Sequence, residues 1–461
     1  VNRNLIIQED PQRLSLEEWD RNYEKYAQDP AFTQPSYGGP LSRHFARGDY
    51  RLKNLHMDNS PAALRLWNLL LTEEARLRKD RYQGKLIVGT MKDLGTIPVL
   101  CDAFPGMTAF YPDGAWWIPC IMELSDQLFR KADALGIDDS YCPVRALLGA
   151  FDNESHFPVP DTLICSAGAV CDDFSAIAQI LEGTGQSIHW WEVPARPEDY
   201  SPGNTTQKSA ALRAGIREEL HHICRHLEDI SHSTLTPEAL WNSIDRANYA
   251  RQLLQNLRHM VFTAPLPPFP ALEMLIAEML IIHYCSDYSE TCAVYEEMLA
   301  TATRRLAAGK GHGEENDVKI FWINPVADLR IMNILEDAGG RLCGSEFLFS
   351  HARAPLDTEY KSPFDSLAEA ILNDPLIGTT QDRGRKIITD IKKFQSRGVI
   401  ISRIPGASHC AFEGHIIGTM IQDTLNIPVL EIEVPPLSDS LCPSLTTRIS
   451  ALIETARPSV L

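Results

Sequence analysis

The sequence predicts an α/β protein with two open, mainly parallel sheets of the flavodoxin or Rossmann kind, joined by a helical bridge and preceded by a helical arm. Short apolar runs alternate with amphipathic stretches from residue 85 to about 200 and again beyond 317, the pattern of parallel strands covered on both faces by helices. Between these blocks, residues 205–306 carry only helical periodicity. At 461 residues, 44% hydrophobic and 23% charged, the chain is long enough for more than one core.

The elements follow in order. Residues 1–80 are polar, with helical stretches at LEEWDRNYEKYA and PAALRLWNLLLTEEARLRKDR whose apolar positions recur three and four apart. A first α/β domain, 81–204, has strands at KLIVGTM, TIPVL, DTLICSAGA and SIHWWEVPA, with helices at LSDQLFRKADALG and DDFSAIAQILEGTG. The bridge, 205–310, holds three long amphipathic segments, two of them separated by the proline-rich TAPLPPFPALE. In the second domain, 311–461, strands at VKIFWINP, RLCGSEFLF, GVIISRIPG and PVLEIEVPP alternate with helices through DLRIMNILEDAGG, RKIITDIKKFQSRG, HIIGTMIQDTLN and LTTRISALIET. The two halves suggest a distant duplication. In such sheets ligands bind beyond the carboxyl ends of the strands.

A net charge of −18 argues against nucleic acid or an anionic membrane as partner, since both attract concentrated Lys and Arg. An acidic surface suits a basic docking partner instead. The longest apolar run, 274–284, is interrupted by Glu278 and too short to span a bilayer. The first residues lack the basic start and continuous apolar stretch of an export signal, so the cytoplasm is the expected location. AAGKGHGEEN has no Ser or Thr after Lys310, so it is no phosphate loop, and neither a Gly-x-Gly-x-x-Gly nor a Gly-x-Ser-x-Gly motif is present. Any ATP chemistry therefore belongs to another chain.

Eleven cysteines, an odd number without an export signal, favour metal binding or buried thiols over a disulfide framework. Three stand where a strand or turn ends. Cys142, in SYCPVRALLGAF, opens a helix; Cys171, in LICSAGAVCDD, precedes another; Cys410, in IPGASHCAFEGH, follows a strand and small residues. Helix starts favour the thiolate, and small residues let backbone N–H groups approach a metal-bound sulfur. Iron–sulfur clusters need no compact motif when the fold brings distant thiolates together. Cys165 stands six before Cys171, a spacing that fits two packed thiols equally well, and it is not a Cys-x-x-Cys signature. Cys120 closes the aromatic loop GAWWIPC, and Cys343 lies on or just after a strand. His409, beside Cys410, is more often a hydrogen-bond partner than a ligand. Cys285 and Cys292 share a helix face and read as core; Cys101, Cys224 and Cys442 read as structural.

Over residues 81–455 the chain resembles the 2-hydroxyacyl-CoA dehydratase and benzoyl-CoA reductase family. The resemblance rests on Cys142 with Arg145 three later, the strand-then-Cys171-Asp172 step, EDAGGRL within a βαβ unit, and Cys410 followed by NIPVLEIEVP. It implies paired α/β domains and an oxygen-sensitive iron–sulfur cluster on Cys142, Cys171 and Cys410. It also implies a separate ATP-hydrolysing iron–sulfur activator that delivers electrons at very negative potential. The additional Cys120, Cys165 and Cys343 are similar to the branch of double-cubane cluster proteins, which are homodimers. The expectation is then a double-cubane (8Fe-9S) reductase of small molecules, with those three as further ligands. The alternative is the cluster-bearing subunit of a dehydratase or arene-CoA reductase with a single 4Fe-4S cluster. A non-catalytic electron-storage protein, and an α/β protein whose thiols merely pack, are the other readings.

Overall fold

The computed structural model describes residues 10–26, 54–91, 95–112, 126–154, 156–198, 200, 207–283, 286–435 and 439–457. The arm begins with β1 (Arg13–Leu14) and α1 (Leu16–Tyr26). β2 (Met57–Asp58) pairs antiparallel with β1, Leu14 facing Met57. Thus the arm closes a small ribbon as well as forming helices. α2 (Pro61–Leu71) starts where the Ser60 hydroxyl accepts from the Ala63 N–H, with Pro61 in the first turn. α3 (Glu73–Tyr82) follows.

The first sheet contains β3 (Leu86–Met91), β4 (Met107–Phe110), β5 (Thr162–Gly168) and β6 (Ile188–Val193), all parallel, in the order β4-β3-β5-β6. Its connections hold α4 (Ile97–Asp102), α5 (Asp126–Ala134), a 3₁₀ turn (Pro143–Arg145) leading into α6 (Ala146–Asn153), and α7 (Asp172–Gly183). TIPVL, read above as a strand, is α4: Pro98 sits in its first turn, where a missing N–H costs nothing. β3 lies between β5 and β4, and β4 is a four-residue strand absent from the expected set. Alternate residues of this sheet bury into two different cores. Ile87, Leu163 and Cys165 join one with α6 and α7; Val88, Ile164 and Trp191 join the other. Burial on both faces explains the continuous apolar runs.

The bridge is α8 (Gln207–Ser231), α9 (Pro237–Thr263), α10 (Ala271–His283) and α11 (Tyr288–Ala307). α8 and the first half of α9 cover one face of the first sheet, while α10 lies in the core that runs on into the second sheet.

The second sheet contains β7 (Val318–Ile323), β8 (Gly340–Glu346), β9 (Gly398–Arg403) and β10 (Val429–Glu433), parallel in the order β10-β9-β7-β8. Its helices are α12 (Arg330–Asp337), α13 (Pro363–Leu372), α14 (Thr380–Phe394), α15 (Ser408–Leu425) and α16 (Cys442–Ala456). Counted within each sheet, both follow the order second, first, third, fourth. The halves therefore share a topology, with the chain reversing direction across the sheet beside β3 and β5 in one and beside β7 and β9 in the other.

Candidate functional site

In open sheets with such a reversal, ligands bind at the carboxyl ends of the strands beside it, here β3, β5, β7 and β9. Cys171 and Cys410 occupy matching places there, each at the start of the helix that follows the third strand of its sheet. Cys410 is in the first turn of α15 rather than in the preceding loop; its side chain lies outside the described residues. Cys142 lies on the crossover between β4 and β5, immediately before the 3₁₀ turn.

Cys142 and Cys171 have extended backbone, φ −51°, ψ 140° and φ −92°, ψ 119°, and each directly precedes a helical segment. They are 8% and 4% exposed, so each side chain is held away from bulk water. The turn into Cys171 is strained. Gly168 has φ +91° and Val170 φ +80°, the latter an outlier for a β-branched residue. The Ala169 N–H donates to the Val193 carbonyl at 2.8 Å, holding the turn against β6. Strain of this kind persists only where the surroundings enforce it, and it collects at functional sites.

Two contacts draw the three cysteine-bearing segments together. The Tyr141 hydroxyl donates to the Asp173 carbonyl at 3.0 Å, tying the Cys142 loop to the first turn of α7. Burial, and then the negative groups of Asp173, Cys142, Cys171 and Asp172, hold the Tyr141 phenol above its ordinary pKa. The second contact crosses between the sheets. Gly406, φ +78°, approaches so closely that an added Cβ would lie 2.5 Å from the Tyr141 carbonyl carbon and 2.9 Å from the Cys142 nitrogen. This is a cradle that only glycine fits, two residues before α15 begins. α7 in turn packs on both α15 and the 3₁₀ turn. The Cys171 thiol lies 3.6 Å from an Asp173 carboxylate oxygen.

The other expected ligands are placed differently. Cys165 is fully buried in β5, beside Met91 and Trp190. It lies three residues short of the strand's carboxyl end, about 10 Å at the usual rise. Cys343 bulges from β8 between the pairs Leu342–Ile320 and Gly344–Phe321. It is likewise three residues from its strand's end, and burial pushes its thiol up to about 11. Cys120, like Cys285, lies outside the described residues. Cys224, buried on α8, has its thiol pushed up to about 12 by desolvation, as suits a packed structural cysteine.

Sequence reasoning missed the charged groups that brace these strand ends. Arg383, on α14, is 1% exposed and hydrogen-bonds Glu346, Asn324 and Glu413. Glu278 on α10 is fully buried; Arg258 donates to it at 2.9 Å, and Arg353 and the Ser345 hydroxyl also reach it. Burial pushes the Glu278 carboxyl up, but the two guanidiniums outweigh this and hold it below its ordinary value. The one available signal was the interruption of an apolar run at Glu278, because a carboxylate inside a core demands partners. Finally, Arg251 donates to the Gly95 carbonyl beyond β3 at 3.0 Å and to the Ala354 carbonyl beyond β8 at 2.6 Å. Arg251 thus ties the loop after β3 to the segment after β8 across the seam between the two sheets.

The backbones of three cysteine-bearing segments thus come together at Gly406 and Tyr141, the Cys410 side chain lying outside the described residues. Among the described side chains no three His, Cys, Asp or Glu residues are grouped to hold a metal ion, and Cys410 falls outside that set. Among the described residues no helix is long and apolar enough to cross a membrane. No curated protein matches the chain. The family of the 2-hydroxyglutaryl-CoA dehydratase D-component matches residues 99–456, and the chain belongs to it.

Proposed function

We propose that this chain is the iron–sulfur-bearing component of a dehydratase-type system, with Cys142, Cys171 and Cys410 as cluster ligands. The observation that carries this is the convergence at Gly406: the segment leading to Cys410 rests on the backbone of Tyr141 and Cys142, while Tyr141 is bonded to the helix begun by Cys171. A cluster held there supplies single-electron transfer. The chain's own part is to hold three thiolates at helical starts, bury them from water, and present a small-molecule substrate in the seam between the sheets. The donor is a separate ATP-hydrolysing activator. Each 59 mV of extra reducing power in a one-electron step costs about 1.4 kcal/mol, so a deep reduction needs a coupled energy source.

A second reading, the double-cubane reductase acting as a homodimer, is favoured by Cys165, which is buried in the same core as Cys142 and Cys171, as is Cys343. Iron content separates the two: about four atoms per chain for a single cubane, about twice that for the double one. Anaerobic iron and sulfide analysis of the wild type, Cys171→Ala and Cys224→Ala tests the assignment. Loss of iron in the first variant and retention in the second supports it; equal iron in both refutes it.

A further inference from the structure

We propose that Arg383 is a positioning residue that fixes the first turn of α15, and with it Cys410, against the carboxyl ends of β7 and β8; the role toward Cys410 rests on the reading of that residue as a ligand. Arg383 Nε and Nη2 donate to the two Glu346 carboxylate oxygens at 3.1 and 2.7 Å. Nη2 also reaches Asn324 Oδ1 at 2.6 Å, and Nη1 reaches Glu413 Oε2 at 2.6 Å. Glu346 ends β8, Asn324 follows β7 with φ +71°, and Glu413 is one helical turn past Cys410. One guanidinium thus joins two strand ends to the cysteine-bearing helix.

The surroundings make this join specific. The Thr380 hydroxyl holds the other Glu413 oxygen at 2.8 Å. The Asn324 N–H donates to the Glu346 carbonyl at 2.8 Å, and the Ser402 hydroxyl on β9 donates to the Asn324 carbonyl at 3.0 Å, so the anchor includes three strands. α14 and α15 meet closely, since a Cβ on Gly384 would lie 2.8 Å from the Met420 sulfur. Only a planar fork can bridge these acceptors at once; a lysine carries the charge but not the geometry. A buried ion pair contributes little net stability compared with apolar packing, and its use lies in fixing one arrangement. One guanidinium against two carboxylates also leaves a net negative charge a turn from Cys410, which lowers the potential of a bound cluster.

The test uses the full chain, purified anaerobically, as wild type, Arg383→Lys and Glu413→Gln. Hydrogen exchange reports the helix whether or not iron is bound. Amide exchange in the first turn of α15 is expected to accelerate at least tenfold in both variants, with exchange in α16 unchanged. With iron bound, release to a ferrous chelator is expected to be at least fivefold faster, and the midpoint potential of Glu413→Gln is expected to rise. Glu413→Gln keeps an oxygen acceptor in the same place, so it covers the case in which Arg383→Lys does not fold. Unchanged exchange in the first turn would overturn the positioning role. An iron-free wild type with accelerated exchange in the variants would instead sink the cluster reading and leave the helix clamp standing. Accelerated exchange with unaltered iron release and potential would show that the clamp does not act on the metal site.

Discussion

Replacing Gly406 by alanine probes the contact on which the site depends. Two costs add. At φ +78° an L-residue is disfavoured by about 1–2 kcal/mol. The new Cβ would also lie 2.5 Å from the Tyr141 carbonyl carbon, 2.6 Å from its oxygen and 2.9 Å from the Cys142 nitrogen, about 1 Å inside ordinary contact. All three atoms are backbone and cannot rotate away, so overpacking adds about 1–3 kcal/mol. Gly106 supplies the control. It has the same φ of +78°, but nothing lies within 4 Å of its added Cβ. Gly106→Ala should cost only the backbone portion, and Gly406→Ala about 1–3 kcal/mol more. Urea unfolding of the two variants measures the difference, and anaerobic iron analysis shows whether the chain relieves the clash by drawing the Cys410 segment away from Cys142. Equal unfolding free energies for the two variants, with equal iron, would mean that the segments do not meet as described.

Other expectations concern the buried charges and the remaining thiols. Burial, and then the neighbouring Asp58 carboxylate, push the Glu273 carboxyl up to about 8 from its ordinary 4.5. A raised folded-state value means that its contribution to stability is complete below the ordinary value and is lost as pH rises through 8. Glu273→Gln should therefore flatten the loss of stability between about pH 5 and 8; an unchanged slope in urea titrations would contradict this. Truncating Glu278 to alanine strips Arg258 and Arg353 of a shared buried carboxylate and should cost about 3–5 kcal/mol by calorimetry or urea unfolding. A cost under about 1 kcal/mol, the size of an exposed pair, would refute the buried trio. Cys343→Ala should leave iron per chain unchanged under the three-cysteine reading, and a fall in iron would make Cys343 a ligand.

Seven of the eight strands in the two parallel sheets were legible because burial on both faces leaves long apolar runs such as KLIVGTM and GVIISR. TIPVL misled for the same reason: α4 is short and wholly apolar, so no period distinguishes it from a strand. β4 was hidden by its four-residue length between Gly106 and Tyr111. At the site, helix starts at Cys142 and Cys171 were readable from local polarity and small residues. The groups that assemble it were not. Arg383 meets Asn324 and Glu413 across 59 and 30 residues, and Gly406 touches Tyr141 from the other domain. Such pairings arise only from tertiary packing, and the strain at Val170 has no sequence signal because valine ordinarily avoids positive φ.

The central claim is spatial: sulfurs from both halves of the chain surround one inorganic centre. An iron anomalous-difference map from an anaerobically grown crystal tests it most directly. The account predicts a density peak bonded to the sulfurs of Cys142, Cys171 and Cys410. Iron bound elsewhere, or those three sulfurs pointing away from one another with no peak between them, would contradict it.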